Sequence, residues 1–322
     1  MSAIRRKHNL SAVLKREIKR YYTSFITYVY YALYFLTSGI TLSVYCLSNY
    51  NTQYGYYVLA KAFYVSVVMI PLFTMQMFAG ERRSKTDQLL FTSPVSCYSI
   101  VLSKYISAVF VLILPIIVSI VFPVIISGHG EVNLDFLVCS YIAVCLGVLF
   151  LTAIGMFIST MTSNPILAAV FVYVFYALLF LMRIAEALSG QGNLYKFIHN
   201  ISFYNIYYDM VSGIVRTGNI VFVIVVSILL INLSWMRLIF NRVYTAKKVM
   251  GIVCMLLCSI IISIVFAANS VTYDFTPEKI LTLSDETIEV LNSVDKETTL
   301  YYIGKISNAN ATYQEFLSLY EK

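Results

Sequence analysis

Seven long apolar runs separated by short polar stretches make up most of the 322-residue chain, at about 25–47, 58–79, 101–127, 135–160, 165–188, 219–240 and 249–268. Each meets or exceeds the roughly 20 apolar residues that let a helix cross a bilayer. None alternates over ten-residue segments as the strands of a membrane barrel do, so the runs predict helices. Ahead of the first run, residues 1–22 carry Arg5, Arg6, Lys7, Lys15, Arg16, Lys19 and Arg20. Leu10, Val13, Leu14 and Ile18 fall on the opposite face of the same helical wheel, which predicts an interfacial helix on an anionic leaflet. The run that follows is too long for a signal peptide and lacks a small-residue cleavage site.

Charge in the loops sets an expected orientation. Loops 48–57 and 128–134 carry no Lys or Arg, whereas 80–100 holds Arg82, Arg83 and Lys85, and 241–248 holds Arg242, Lys247 and Lys248. The positive-inside rule then places the N-terminus in the cytoplasm and residues 269–322 outside. The short turn 161–164 falls inside. Segment 189–218, with only Lys196 and Arg216, falls outside. That segment is too apolar for a solvated loop, and it predicts short helices lying on or dipping into the outer leaflet, where irregular backbone must be covered.

Composition agrees with an all-α integral membrane protein. The chain is 59% hydrophobic and 12% charged, against roughly 25% charged in soluble domains. Of six cysteines all but Cys97 lie in apolar runs, as small core residues would. His8, His129 and His199 have no second ligand nearby, so no metal site is expected. The net charge of +7 sits beside the spans and does not point to nucleic acid. No Ser-His, Asp-Asp or His-Glu pair falls within one span, so no catalytic residue is expected. The 27 tyrosines suit interfacial belts.

The stretch ERRSKTDQLLFTSPVSCYSIVLSKY at 81–105 stands between the second and third runs. Glu81 and Lys85 are spaced i,i+4, and Arg83 and Asp87 repeat the spacing, which predicts a short exposed helix ending in Leu89, Leu90 and Phe91. Pro94 turns Ser93 out of helical geometry, and Ser96 can cap the next helix. Two readings stand: an amphipathic helix that passes motion from a soluble partner to the spans, or a solvated loop made basic by topology alone. Elsewhere, Pro71, Pro115, Pro123 and Pro165 predict kinks or helix ends. Arg183 and Glu186, i,i+3, are either a snorkelling interfacial ion pair or a polar outer gate. Lys61, Lys104 and Arg237 read as anchors near span ends. Asn232 and Gln76 read as interhelical hydrogen-bonding groups. Past residue 268 the chain turns polar, with a helix expected over 285–293, a strand over 298–304 and a helix over 312–321. One strand and two helices do not close a core, so further chain or a partner is expected to complete the segment, unless it is cut short.

Over 10–245 the chain resembles the permease subunits of type-2 ABC exporters, in the branch related to gliding-motility and copper-enzyme-maturation permeases. The stretches that carry the likeness are 10–30, 81–105, FISTMTSNPILAA at 157–169 and YDMVSGIVRTGNIVFV at 208–223. The second is the most specific: Glu81, Arg82, Arg83, Thr86, Leu89, Leu90, Thr92, Ser93, Pro94 and Val95 match the branch pattern. Relatives usually have Gly at the positions of Lys85 and Ser103, an acid near Cys97, and acid–basic–acid where this chain has Thr217, Gly218 and Asn219. The resemblance implies an interfacial helix at 1–24 and a six-span domain at 25–245. It implies a coupling helix at 81–93, in which Glu81, Arg82, Arg83, Lys85, Thr86, Asp87, Leu89, Leu90, Thr92, Ser93 and Pro94 contact a cytoplasmic ABC ATPase. ATP and magnesium would sit in that partner, since no G-x-x-x-x-G-K-[ST] motif occurs here and no cofactor is expected in this chain. A second permease copy, as homodimer or pseudo-dimer, membrane lipid and a bacterial plasma membrane are also implied. The seventh run at 246–268 and the α/β segment at 269–322 resemble the start of the auxiliary component of the same systems, on Leu281, Thr282, Leu283 and Ser284. The expected function is that of an exporter permease; the alternative is a non-transporting anchor or scaffold for an extracytoplasmic complex.

Overall fold

The computed structural model describes residues 2–48, 53–87, 95–128, 132–188, 202–240 and 246–276. An amphipathic helix, α1 (Ser2–Tyr22), leads into α2 (Phe25–Thr41), which continues as a π-helical stretch, Leu42–Leu47. The chain returns through a second π-helical stretch, Gly55–Leu59, into α3 (Ala60–Thr74) and the short α4 (Ala79–Arg83). Then come α5 (Cys97–Val118), α6 (Val121–Ser127), α7 (Leu134–Met161), α8 (Pro165–Leu188), α9 (Phe203–Val211), β1 (Ile214–Arg216), α10 (Thr217–Phe240), α11 (Ala246–Ala268) and β2 (Thr272–Asp274). Among the described residues six stretches are long and apolar enough to cross a membrane: Phe25–Leu47, Gly55–Arg83, Cys97–Ser127, Leu134–Met161, Pro165–Ala185 and Thr217–Ile239. The seventh apolar run forms α11.

Local chemistry sets the helix ends. Ser96 caps α5 as its position predicts, its Oγ accepting from the Ser99 amide at 3.2 Å. Asn133 does the same for α7 through the Phe136 amide. Pro165 opens α8 at the first helical position, where its missing N–H costs nothing, and Asn164 Oδ1 accepts from the Ile166 amide. Pro115 lies inside α5 and leaves the Val111 carbonyl without its usual amide donor. The Tyr31 hydroxyl of α2 donates to that carbonyl instead, at 3.1 Å, and the Tyr30 hydroxyl donates to the next one, Leu112, at 2.8 Å.

The core lies around α7, whose central residues are the most enclosed of any span; α8 and α10 are the most exposed. α3 can approach α7 closely because glycines face it: a Cβ on Gly147 would lie 2.7 Å from Phe63 Cζ, and one on Gly155 would lie 2.4 Å from Thr74 Oγ1. Cys46 and Cys139 are buried, but Cys254 and Cys258 face outward on α11 rather than serving as core. Asn232 bonds to the Ile228 carbonyl of its own helix, not across a helix pair.

At the end of the bundle opposite α1, α9 forms within the apolar segment expected to hold short outer helices. It buries Phe203, Ile206, Tyr207, Met210 and Val211, one helical stripe, and packs against α7. Residues 189–201 lie outside the described residues. Gly213 then takes φ +92° and leads into β1. β1 pairs antiparallel with β2 in the register Ile214–Asp274, Val215–Tyr273 and Arg216–Thr272. A Cβ on Gly213 would meet the Thr276 amide nitrogen at 3.1 Å, so the ribbon closes only over glycine. The ribbon joins the start of α10 to the chain beyond α11, so α10 and α11 form an antiparallel pair that returns the chain to the same end. The helices and strand expected over 285–321 lie outside the described residues.

Candidate functional site

α1 buries Val13, Glu17 and Tyr21, a stripe at i, i+4 and i+8 with a carboxylate at its centre, against α5. Leu14 and Ile18, read as part of the apolar face, are only half-buried. Five charges meet where this stripe crosses the bundle. The Lys104 side chain is 0% exposed and that of Glu17 1% exposed, with Nζ 3.3 Å from Glu17 Oε1. Lys104 also pairs with Glu81 Oε1 on α4. Arg20 bridges both carboxylates, 2.9 Å from Glu17 Oε2 and 2.9 Å from Glu81 Oε1. Arg16, the more exposed member, reaches Glu17 Oε1 at 3.0 Å. Lys104 also lies over the Phe78 ring, 5.5 Å from its centroid.

Lys104 is therefore not a snorkelling anchor. It is the buried cation of a joint that holds α1, α4 and α5 together. Burial pushes the Glu17 carboxyl up, but Lys104, Arg20 and Arg16 together outweigh it and hold the group below its ordinary value. Burial beside the same cluster pushes the Tyr21 phenol up to about 12.

α4 is fixed at both ends to α7 as well. Ser159 Oγ accepts from the Phe78 and Ala79 amides, capping the N-terminus of α4 at 3.2 Å. Arg82 Nη1 donates to the carbonyls of Thr160 at 2.6 Å and Thr162 at 3.3 Å, where the last turn of α7 leaves its acceptors free. The single helix expected over 81–93 does not run unbroken from Glu81. α4 ends at Arg83 in a Schellman motif: the Lys85 amide donates to the Arg82 carbonyl and the Thr86 amide to the Glu81 carbonyl, with Lys85 at φ +57°. The expected Glu81–Lys85 pair is not among the ion pairs formed, and Glu81 turns inward to Lys104 and Arg20. Arg83, Ser84, Lys85 and Thr86 are exposed, and Asp87 is half-exposed. Leu89, Leu90, Thr92, Ser93 and Pro94 lie outside the described residues. A groove of about 980 Å³ opens beside the joint, lined by Val13, Arg16, Glu17, Gln76, Glu81 and Thr86 among others.

Lys85 stands in the left-handed region that costs an L residue about 1–2 kcal/mol. Replacing it with glycine is expected to raise stability by up to about 1 kcal/mol once the extra chain entropy of glycine is subtracted. The thermal unfolding midpoint in mild detergent reads this.

The structure thus has six membrane-length helices, a basic helix docked at one end and a short charged element at the end of the second span. The family model for the ABC-2 family transporter protein matches residues 7–268. The chain belongs to the ABC-2 transporter family. No curated protein matches it. It is a multi-pass membrane protein and an ABC-type permease, and the match runs through α11 as well as the six spans.

Of the residues singled out in this permease, the structure brings Glu81 into the buried joint, ties Arg82 to α7, and leaves Arg83, Lys85 and Thr86 at the surface. Glu17, Arg20 and Lys104 complete the joint and were missed as functional. The signal for Glu17 is its isolation: it is the only carboxylate before Glu81, set among Lys15, Arg16, Lys19 and Arg20. At the opposite end, the Arg183 guanidinium lies over the Tyr204 ring, 4.4 Å from its centroid. The side chain of Glu186 lies outside the described residues.

Proposed function

We propose that this permease is the membrane-spanning subunit of an ATP-driven exporter, with the segment that begins at α4 as the lever on which a separate ATPase acts. The observation that carries the reading is the joint. A lever must be rigid at its base and accessible at its tip. Glu81 and Arg82 anchor the base to α1, α5 and α7, while Arg83, Ser84, Lys85 and Thr86 stand exposed beyond it. ABC-2 permeases work with a cytoplasmic ABC ATPase, and the absence of a P-loop motif from the sequence supports a partner in that role. Membership of this family favours transport over the scaffold reading.

The basic α1 and the basic 80–100 and 241–248 loops support a cytoplasmic joint. Ribbon β1–β2 would then be extracytoplasmic, with residues beyond 276 entering an outer domain like that of the auxiliary component. A second copy would complete the translocation path, whose access would switch when the paired ATPases close and tilt the lever, a rigid-body change.

The test is charge reversal at the tip. Arg83→Glu with Lys85→Glu is expected to lower stimulation of the co-purified ATPase by about tenfold, the size of one lost charged contact set. Membrane insertion and unfolding midpoint should stay unchanged, because neither side chain is bonded to the bundle. Stimulation at the unmodified level would overturn the lever. Arg82 is unsuited to this test, since its removal would also unfasten α4 from α7.

A further inference from the structure

A chain of aromatic rings runs across the end of the bundle opposite the joint. Tyr45 stacks on Tyr57 with centroids 5.2 Å apart, and Tyr57 meets Tyr56 edge-on at 5.0 Å. Tyr56 meets Tyr208 at 5.8 Å, Tyr208 stacks on Tyr204 at 6.0 Å, and Phe180 closes the row against Tyr204 at 6.0 Å. The row links the start of the second span, α9 and the end of α8. Arg183 lies over the Tyr204 ring, within the distance at which a guanidinium is attracted by a ring face. Arg183 sits 18 residues beyond Pro165, about 27 Å along α8, near the far boundary of a hydrocarbon layer about 30 Å thick.

The hydroxyls of this row come in two pairs. Tyr56 bonds to Tyr208, and Tyr64 lies 3.4 Å from Tyr204, hydroxyl to hydroxyl. Each pair contains two O–H groups and uses one of them internally, so among the described residues each has one proton left to donate. Burial and the bond to Tyr56 hold the Tyr208 phenol above its ordinary value, so it keeps its proton at every physiological pH. The row therefore presents a fixed planar cation and two spare phenolic donors on one surface, a donor set suited to an anion. Around it Val68, Phe180, Leu181 and Ile184 are exposed, which suits acyl chains rather than water. At that boundary a guanidinium reaches the headgroup layer, where lipid phosphates lie.

We propose that Arg183, with the hydroxyls of Tyr56, Tyr64, Tyr204 and Tyr208, forms a binding site for the phosphate of an amphiphile, the guanidinium taking the charge and the phenols orienting the oxygens. The site is independent of ATPase coupling, so its test needs no partner subunit. The full chain is purified in mild detergent, and binding is followed by native mass spectrometry and by the shift in unfolding midpoint. The probes are phosphatidylglycerol, diacylglycerol with the same acyl chains, and glycerol phosphate. Phosphatidylglycerol is expected to bind at least about tenfold more tightly than diacylglycerol, and Arg183→Gln is expected to remove that advantage, since a charge-assisted bidentate contact is at stake. Tyr208→Phe is expected to weaken it about threefold, as one neutral hydrogen bond would. Glycerol phosphate binding as tightly as the lipid, and lost with Arg183→Gln, supports the phosphate site and shows that its ligand is a free anion. Equal binding of phosphatidylglycerol and diacylglycerol, or a preference that survives Arg183→Gln, overturns the site. Arg183 is exposed, so its variant is expected to fold, and an unchanged midpoint without ligand verifies that.

Discussion

Glu17→Gln is expected to destabilise the protein by about 3–5 kcal/mol, the cost of breaking a buried ion pair from one side. The change keeps the side-chain shape and removes one charge. What remains is Lys104, fully buried, together with Arg20 and Arg16, facing the single carboxylate of Glu81. Arg16 loses its carboxylate, Lys104 and Arg20 each lose one of two, and Lys104 has no route to water. Adding Lys104→Met to the same protein should recover most of the loss, because the remaining Arg20–Glu81 pair is then balanced and Met fills an apolar site. The signature is therefore a double-mutant cycle with a coupling of several kcal/mol, larger than the 0.5–3 kcal/mol usual for contacting residues. Accessibility of the buried thiols of Cys46 and Cys139 to a reactive dye during heating provides the readout. A cycle that closes additively would mean that α1 is held by its apolar stripe alone.

The same group gives the joint a pH dependence of known sign. The Glu17 carboxyl is held below its ordinary value of 4.5 in the folded protein. A depressed carboxylate stabilises fully above its unfolded value, and that contribution is lost as pH falls through the folded one. α1 should thus stay docked at neutral pH and loosen only below about 4.5, and in Glu17→Gln this acid sensitivity should diminish.

The spans are legible in the sequence because a lipid-exposed segment has only itself in which to satisfy its peptide groups, and about 20 apolar residues mark such a helix. The cap at Ser96 is legible too, since it depends on a residue three positions away. The joint is not. Lys104 finds Glu17 across 87 positions, and although Glu17 stands out as a lone acid among basic residues, nothing in the local pattern names its partner. Glu81 illustrates the same limit from the other side: its i,i+4 spacing to Lys85 predicts a helical pair, but the left-handed turn at Lys85 ends the helix first. The ribbon escapes notice for a different reason. Three-residue strands are too short to show alternation, and their pairing depends on α11 carrying the chain back.

Gly155→Ala is expected to cost about 1–3 kcal/mol, in the range for adding a methyl group to a packed interior. Helix propensity works in the opposite direction, since alanine gains up to about 1 kcal/mol over glycine inside a helix. Packing outweighs it because the new Cβ would lie 2.4, 2.8 and 2.9 Å from Oγ1, Cγ2 and Cβ of Thr74. A β-branched side chain held at its root cannot swing away, so α3 itself must move. That movement matters for function, because Thr74 closes α3 one turn before α4 and the joint. Gly39→Ala provides the control: nothing lies within 4 Å of its Cβ, so only the propensity gain remains and the variant should be at least as stable as the unmodified protein. Thr74→Ala in the Gly155→Ala background should recover part of the loss, since two of the three crowded atoms are removed. Unfolding midpoints that fall equally in the Gly39 and Gly155 variants would show that glycine is needed for backbone freedom rather than for close approach of the second and fourth spans.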